Sequence, residues 1–393
     1  MLRLEKMMFN GEKLTELRLL CGLSRAELAE KLDLTEQAIW QFETNKNEPK
    51  INPTLFSLAN IFKVDLSYFQ EETSLQSIDT ARIAFRNADI TSKKSIKIQE
   101  AYLNKVHSFV QYIESFLIAP NWIFYELEND IAEKERGIAE IAHMARAKLS
   151  ISGNNSDLLY KLELSGINIL ERLINGEADA YSLWTKDDTP YIVLGRGKSA
   201  VRRNFDLAHE LGHLLLHKNI DFDELNKYDY QQKEYEANQF AADFLLPEED
   251  FKKDFTSLVR NKFSNPESYL LLKEKYNVSI QALEMRAYKM GYLSQSENSY
   301  FYRLLNSKYK SYKTVEPLDR QIPIKRPAKI KSILDTLFTS NLISLQELLQ
   351  EQRIRLEFLS LLLEIDLEFF DKYKASSDDF SGVIRLDDFR RMG

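Results

Sequence analysis

The residues with the clearest chemistry are two histidines and a glutamate in the segment 205–217. His209, Glu210 and His213 form the pattern HExxH. Residues four apart on a helix lie on one face, so both imidazoles can bind one zinc ion, with Glu210 beside a water on that ion. Because only five of the 393 residues are histidine, chance is a poor explanation of this spacing. The alternative interpretation is a buried amphipathic helix with two hydrogen-bonded histidines.

A catalytic zinc site needs a third protein ligand. His217 lies eight residues after His209, about 12 Å along a helix axis, so both cannot reach one ion from one straight helix. We expect His217 to form a hydrogen bond at the helix end or in the core. Segment 234–243 predicts a second, acid-bearing helix. Glu236 is the favoured ligand, because a carboxylate among close-packing residues needs a compensating charge, and Glu234 is the alternative.

The elements that position these residues are predicted from periodicity. Residues 167–170, 180–184 and 190–194 predict strands, and helical periodicity runs from residue 204 to about 292. Strand 191–194 either aligns a substrate backbone by edge pairing or is an ordinary core strand. The developing oxyanion of peptide hydrolysis needs a further donor. The candidates are Tyr181, Tyr191, Arg202, Arg203 and Tyr235.

Three segments together resemble the ImmA/IrrE family of metallopeptidases. They are the HELGH of residues 209–213, the EANQFAADFLLP of residues 236–247, and the strand 191–194 with RRNF at 202–205. The resemblance covers roughly residues 125 to 295. It implies zinc bound by His209, His213 and Glu236, with Glu210 as general base. It also implies proteolysis of a partner transcriptional repressor in a phage, mobile-element or stress-response circuit.

The first 70 residues predict a bundle of short helices. Ser24 and Glu27 form a capping box at one helix, and Thr35 caps the next. Residues 12–69 resemble the XRE (lambda-repressor-like) helix-turn-helix family, which implies a helix placed in the major groove of DNA. Two glutamines would read base edges and two lysines would contact phosphates. The predicted DNA-facing residues are Thr35, Gln37, Gln41, Lys46 and Lys50.

The charge of this bundle restricts how it can bind DNA. Residues 12–69 hold seven Lys and Arg against nine Asp and Glu, and the whole chain has a net charge of −7. A globally basic nucleic-acid binder is excluded. We therefore expect useful binding to an operator only by a homodimer, and the alternative is a protein-docking bundle. Residues 301–331 carry nine basic against two acidic residues and predict either a phosphate contact or a solvated linker.

The remaining composition favours a cytoplasmic protein without a membrane partner. The single cysteine, Cys21, excludes an internal disulfide, and no window approaches the apolar length of a membrane span. We predict a mainly α fold with an α+β part. The predicted domains are an XRE-type helix-turn-helix (1–70), a linker with an amphipathic helix (71–120), a thermolysin-like zinc-peptidase domain (121–295), and a basic linker with a C-terminal helical region (296–393).

The function predicted from these parts is a zinc endopeptidase tethered to a DNA-targeting module. Its protein substrate would be a transcriptional repressor. The alternatives are a non-catalytic transcription factor whose peptidase-like domain senses a ligand or metal, and an antitoxin-like binding protein. The intact set of His209, Glu210 and His213 favours the enzyme.

Overall fold

A computed structural model describes residues 9–72, 77–79, 83, 93–118, 122–133, 136–172 and 180–374. The chain groups into two compact units. The first unit is drawn from Met1–Ser74, Ser108–Phe116 and Lys331–Gly393, and the second from Leu75–His107 and Leu117–Ile330. No described helix combines the length and the apolar character needed to cross a bilayer.

The structure is mostly helical, with one small sheet. The helices before the sheet are α1 (Gly11–Leu20), α2 (Arg25–Leu32), α3 (Glu36–Glu43), α4 (Phe56–Phe62), α5 (Lys93–Glu114), α6 (Tyr125–Glu133), α7 (Ile138–Lys148) and α8 (Leu158–Leu164). The strands are β1 (Asn168–Arg172), β2 (Tyr181–Trp184) and β3 (Pro190–Gly195). The later helices are α9 (Ala200–Leu216), α10 (Lys227–Leu245), α11 (Glu248–Leu258), α12 (Leu270–Tyr276), α13 (Ile280–Lys289), α14 (Gln295–Lys308), α15 (Lys329–Thr339), α16 (Leu345–Glu351), α17 (Leu356–Leu363) and α18 (Leu367–Asp371). Short helical turns occupy Ile51–Leu55, Leu66–Gln70 and Pro266–Tyr269.

The start of the first unit has the predicted helix-turn-helix geometry. Ser24 and Glu27 form a reciprocal capping box at α2, and the Thr35 side chain accepts a hydrogen bond from the Ala38 amide at α3. Both predicted caps are therefore confirmed. Asp33 ends α2 in the left-handed conformation, with φ of 53°, which turns the chain sharply toward α3.

A buried carboxylate fixes the three helices against one another. Glu43, on α3, is 6% exposed and lies 2.5 Å from both Arg18 Nε and Arg25 Nε. Arg18 comes from α1 and Arg25 from α2, so one acidic side chain joins all three helices. Removing one partner from such a buried group leaves the other charges uncompensated.

The C-terminal helices of the first unit repeat the capping box and left-handed turn seen at α2. Ser344 forms a capping box at α16, and Arg353 follows nine residues later in the left-handed conformation, with φ of 52°. The residue after it, Ile354, forms an antiparallel bridge with Val64 of the N-terminal bundle. Phe358, on α17, packs 6.4 Å from the ring of Tyr68. The C-terminal helices are therefore part of the packed core of this unit.

The three predicted strands of the second unit are confirmed, and their order is β1–β3–β2. β3 pairs parallel with β1 and antiparallel with β2, with Ile192 opposite both Ile169 and Ser182. The expectation that strand 191–194 offers an edge to a substrate is wrong. Its backbone groups are used by a neighbouring strand on each side, and all of β3 is buried.

Helix α9 packs against the sheet and against α10. Its buried positions include Leu207, Ala208 and Leu211, and it begins four residues earlier than the sequence pattern predicts. At Gly212 a side chain would approach Phe240 of α10 to 3.1 Å. Glycine therefore lets the two helices pack closely where the candidate site forms.

We predict that Glu43→Gln loosens the helix-turn-helix without changing its surface. Loss of the buried negative charge should cost about 3 kcal/mol, which corresponds to about hundredfold faster exchange of amides in α2 and α3. Hydrogen exchange followed by mass spectrometry measures this locally in the full chain. Exposed Glu48→Gln is the matched control, and unchanged exchange in Glu43→Gln would contradict the structural role of this carboxylate.

Candidate metal centre

Helix α9 brings the two predicted histidine ligands together. His209 and His213 are one turn apart, 1% and 4% exposed, with their Nε2 atoms 3.1 Å from each other. At this separation the two Nε2 atoms cannot both carry a hydrogen, because the two N–H groups would point at each other. The pair is therefore suited to share a cation.

Helix α10 adds the carboxylate of Glu234. Its Oε1 lies 3.3 Å from His213 Nε2, and its Oε2 lies 3.6 Å from His209 Nε2. A tetrahedral zinc ion about 2.1 Å from each ligand would separate the ligand atoms by about 3.4 Å. The buried Glu234 Oε1 accepts no hydrogen bond from any described residue, although it faces an imidazole nitrogen. These donors therefore fit zinc in chemical type and in spacing.

The carboxylate favoured from the sequence, Glu236, has other partners. Glu236 Oε2 lies 2.8 Å from His217 Nε2 and 3.0 Å from Lys233 Nζ. Partial burial raises the pKa of Glu236, but hydrogen bonds from His217 and Lys233 outweigh burial and leave that pKa below its usual value. Residues two apart on a helix point about 200° apart, so Glu234 and Glu236 reach different histidines. The structure brings Glu234 to the two predicted histidine ligands.

Hydrogen bonds behind each histidine orient its ring. Burial, the largest effect, lowers the pKa of His217 to about 4, so this ring is neutral at pH 7. With His217 Nε2–H donating to Glu236, His217 Nδ1 accepts from His213 Nδ1–H at 2.9 Å, which leaves the Nε2 lone pair of His213 facing Glu234. His209 Nδ1 lies 3.2 Å from Asn238 Oδ1, which fixes the same tautomer there. The expected hydrogen-bonding role of His217 agrees with this geometry.

Glu210 is held by a residue that sequence reasoning missed. Ser182 Oγ donates to Glu210 Oε2 at 2.7 Å. Burial raises the pKa of Glu210 to about 7, against smaller lowering effects of His213 and the Ser182 hydroxyl. Strand alternation is the signal that could have found Ser182. Ser182 shares a face of β2 with Trp184, whose indole N–H donates to the Leu214 carbonyl on α9, the helix that carries Glu210.

Three of the five candidate oxyanion donors form hydrogen bonds with other side chains. Tyr181 donates to Gln99 Oε1, the Tyr191 hydroxyl lies 3.0 Å from His107 Nδ1, and Arg203 donates to Glu171. Tyr235 is largely exposed on α10. Arg202 lines a cavity of about 830 Å³ whose wall includes Glu234, Asn238 and Phe205. This cavity borders the metal centre.

The predicted DNA-facing residues lie on the outside of the helix-turn-helix. Thr35, Gln37 and Lys50 are exposed, and Gln41 is half-buried. Lys46 is exposed, with its ammonium 4.1 Å from the centre of the Trp40 ring. Their contacts with DNA stay predictions.

Comparisons with protein families agree with the two resemblances. Residues 162–288 match the model of the IrrE N-terminal-like domain, a peptidase family, and this range contains the sheet, α9 and α10. Residues 14–69 match the helix-turn-helix model. A comparison with curated proteins found no match. The chain thus joins a helix-turn-helix domain of the XRE type to an IrrE/ImmA N-terminal-like domain, which is the fusion that its motifs predict.

Proposed function

We propose that this protein is a zinc-dependent endopeptidase that cleaves a partner repressor and is directed by its DNA-binding domain. The observation that carries the proposal is the convergence of His209, His213 and Glu234. Glu210 lies on α9, the helix of the two histidines. Two buried imidazoles and a carboxylate whose Oε1 accepts no hydrogen bond from the described residues are ligand types of a catalytic zinc site. A bound zinc would lower the pKa of a water and polarise the scissile carbonyl.

The chain's own residues supply the proton transfer. We assign Glu210 the role of general base, because it follows one proposed ligand directly and is buried beside them. Its Oε2 is held by Ser182, so we assign Oε1 the proton taken from the attacking water. The same carboxyl group then delivers that proton to the leaving amine, so that one residue acts first as the base and then as the acid.

The helix-turn-helix domain supports a substrate that is itself bound to DNA. A tethered enzyme meets a DNA-bound protein at a raised effective concentration. A repressor at a neighbouring operator fits this arrangement, and the family resemblance implies the same substrate class.

We predict that one zinc ion binds per chain and that Glu234, rather than Glu236, is the third ligand. Glu234→Ala should lower zinc affinity more than about a hundredfold, as expected for a lost ligand, and Glu236→Ala about tenfold, as expected for a lost orienting partner. Competition with a fluorescent chelator measures both values on the full chain.

His209→Ala and exposed Glu248→Ala are the controls for that experiment. His209→Ala should abolish stoichiometric zinc, whereas Glu248→Ala should match the wild type. A larger loss in Glu236→Ala than in Glu234→Ala would restore the ligand set favoured from the sequence. If the wild type holds no stoichiometric zinc after loading, the assignment of a zinc site is wrong.

We predict that Glu210→Gln keeps the metal and the fold but loses at least about a hundredfold in cleavage rate, because an amide cannot accept the water proton. Mass spectrometry of a proteome-derived peptide library detects the cleaved bonds without a known substrate. The control is Glu249→Gln, exposed at the start of α11. Equal cleavage by Glu210→Gln and wild type would show that Glu210 is not the base. If neither protein cleaves any peptide although both bind zinc, the result favours a non-catalytic domain that senses a ligand or metal.

We predict that two copies of the chain bind a two-fold symmetric operator, because one acidic module neutralises too few phosphates. Selection from random DNA should enrich such a site. Gln37→Ala and Gln41→Ala should relax its sequence preference, whereas Lys46→Ala and Lys50→Ala should each reduce the salt dependence by about one phosphate contact. If no site is enriched and no binding occurs at low salt, the bundle is a protein-docking module.

A further inference from the structure

The cavity beside the metal centre is cationic, although the chain as a whole has a net charge of −7. It shares Glu234 and Asn238 with the metal centre. Two carboxylates line it, those of Asp206 and Glu234. Its cationic side chains are Lys198, Arg202, Arg286, Lys289 and Lys313. The cavity therefore has an excess of positive charge where a substrate would lie.

One arginine in this wall has donors that the described residues do not use. Arg286, on α13, is 8% exposed, and its Nη1 lies 2.6 Å from Asp243 Oδ1. Its Nε and Nη2 are buried, and within the described chain they have no hydrogen-bond acceptor. A buried guanidinium with two unused donors is costly unless a ligand completes its bonding.

A second arginine adds to this set. Arg202, on α9, donates from Nη2 to the Tyr312 carbonyl at 2.8 Å, and its buried Nε has no acceptor among the residues that the structure describes. Lys198 differs, because Asp206 lies 2.7 Å from its ammonium. Within the described part of the cavity wall, these two arginines therefore hold the buried N–H donors without an acceptor.

We propose that this cavity is a subsite for a carboxylate side chain, Asp or Glu, of the peptide substrate. The inference rests on the proposed peptidase function and adds a preference for an acidic residue near the scissile bond. A guanidinium matches a carboxylate with paired N–H donors, which a lysine cannot do. Apolar wall residues, including Val278, Ala282 and Met285, suit the hydrocarbon stem of such a side chain.

The burial of Arg286 favours a side chain over a nucleic-acid backbone. Duplex phosphates lie on a stiff, wide surface and are met by exposed cations. A guanidinium that is 8% exposed is reached by a carboxylate on a flexible stem. The border with Glu234 also places this subsite beside the proposed ligands.

The test measures binding of two peptides to the full-length, zinc-loaded Glu210→Gln protein, so that cleavage does not intervene. The peptides are acetylated and amidated, carry an uncharged dye, and differ only in a central Glu or Gln. The Glu peptide should bind about tenfold more tightly. Arg202→Gln and Arg286→Lys should each remove most of this difference. Arg286→Lys keeps a positive charge beside Asp243, so folding is preserved while the paired donors are lost.

The matched control is Lys252→Gln, an exposed cation outside the cavity, which should keep the full preference. Equal binding of the two peptides, or a preference that survives both arginine variants, overturns the subsite. Arginine-dependent binding of succinate or inorganic phosphate without peptide discrimination also overturns it, in favour of a free anion. Displacement of the Glu peptide by duplex DNA overturns it in favour of a nucleic-acid site.

The proposed function and the subsite fail separately. Zinc binding and peptide cleavage without an acidic preference would overturn only the subsite. An arginine-dependent preference for the Glu peptide in a protein that binds no zinc would overturn only the peptidase and leave a carboxylate-binding cavity.

Discussion

The central constraint on the second unit is the placement of two buried imidazoles beside a partly buried carboxylate, where α9 meets α10. Three such groups, with nitrogen atoms 3.1 Å apart and a carboxylate oxygen 3.3 Å away, are costly to bury unless a cation compensates them. The close approach of α9 and α10 at Gly212 makes this burial possible. Hydrogen bonds from behind then fix the two imidazole rings. Asn238 orients one ring, and the pair of His217 and Glu236 orients the other.

Features of this site that depend on residues close together in the sequence could be predicted, and features that depend on packing between helices could not. The spacing of His209 and His213 lies within one helical turn, so it needed no knowledge of packing. Which acid of α10 reaches His209 and His213 depends on the rotation of that helix. At 100° per residue, Glu234 lies about 50° from the centre of the stripe formed by Ala237, Ala241 and Phe244, and Glu236 lies about 110° from it. Nearness in sequence to small residues favoured Glu236, whereas the helical position favours Glu234.

The same difference between local and long-range interactions decides which parts of the fold could be predicted. The caps at Ser24 and Thr35 are local hydrogen bonds and were predictable. The central place of β3 was not, because strand order depends on pairing between distant segments. Nor was the bridge between Val64 and Ile354, which joins segments 290 residues apart. The sequence predicted a C-terminal helical region, but the segment against which those helices pack depends on the tertiary structure.

The charge distribution bears on how specificity is divided between the two domains. The helix-turn-helix carries more acidic than basic residues, so electrostatic attraction to DNA contributes little per copy. Under the proposed function, a weakly held targeting module would leave part of the discrimination to the peptidase-like domain. The cavity has the features needed for this. Its two arginines have buried donors without an acceptor among the described residues, and under the proposed subsite a wrong substrate would leave those donors unpaired at a cost in binding. A protein with this distribution of charge would select its partner more by the residues that enter the cavity than by the DNA to which that partner is bound.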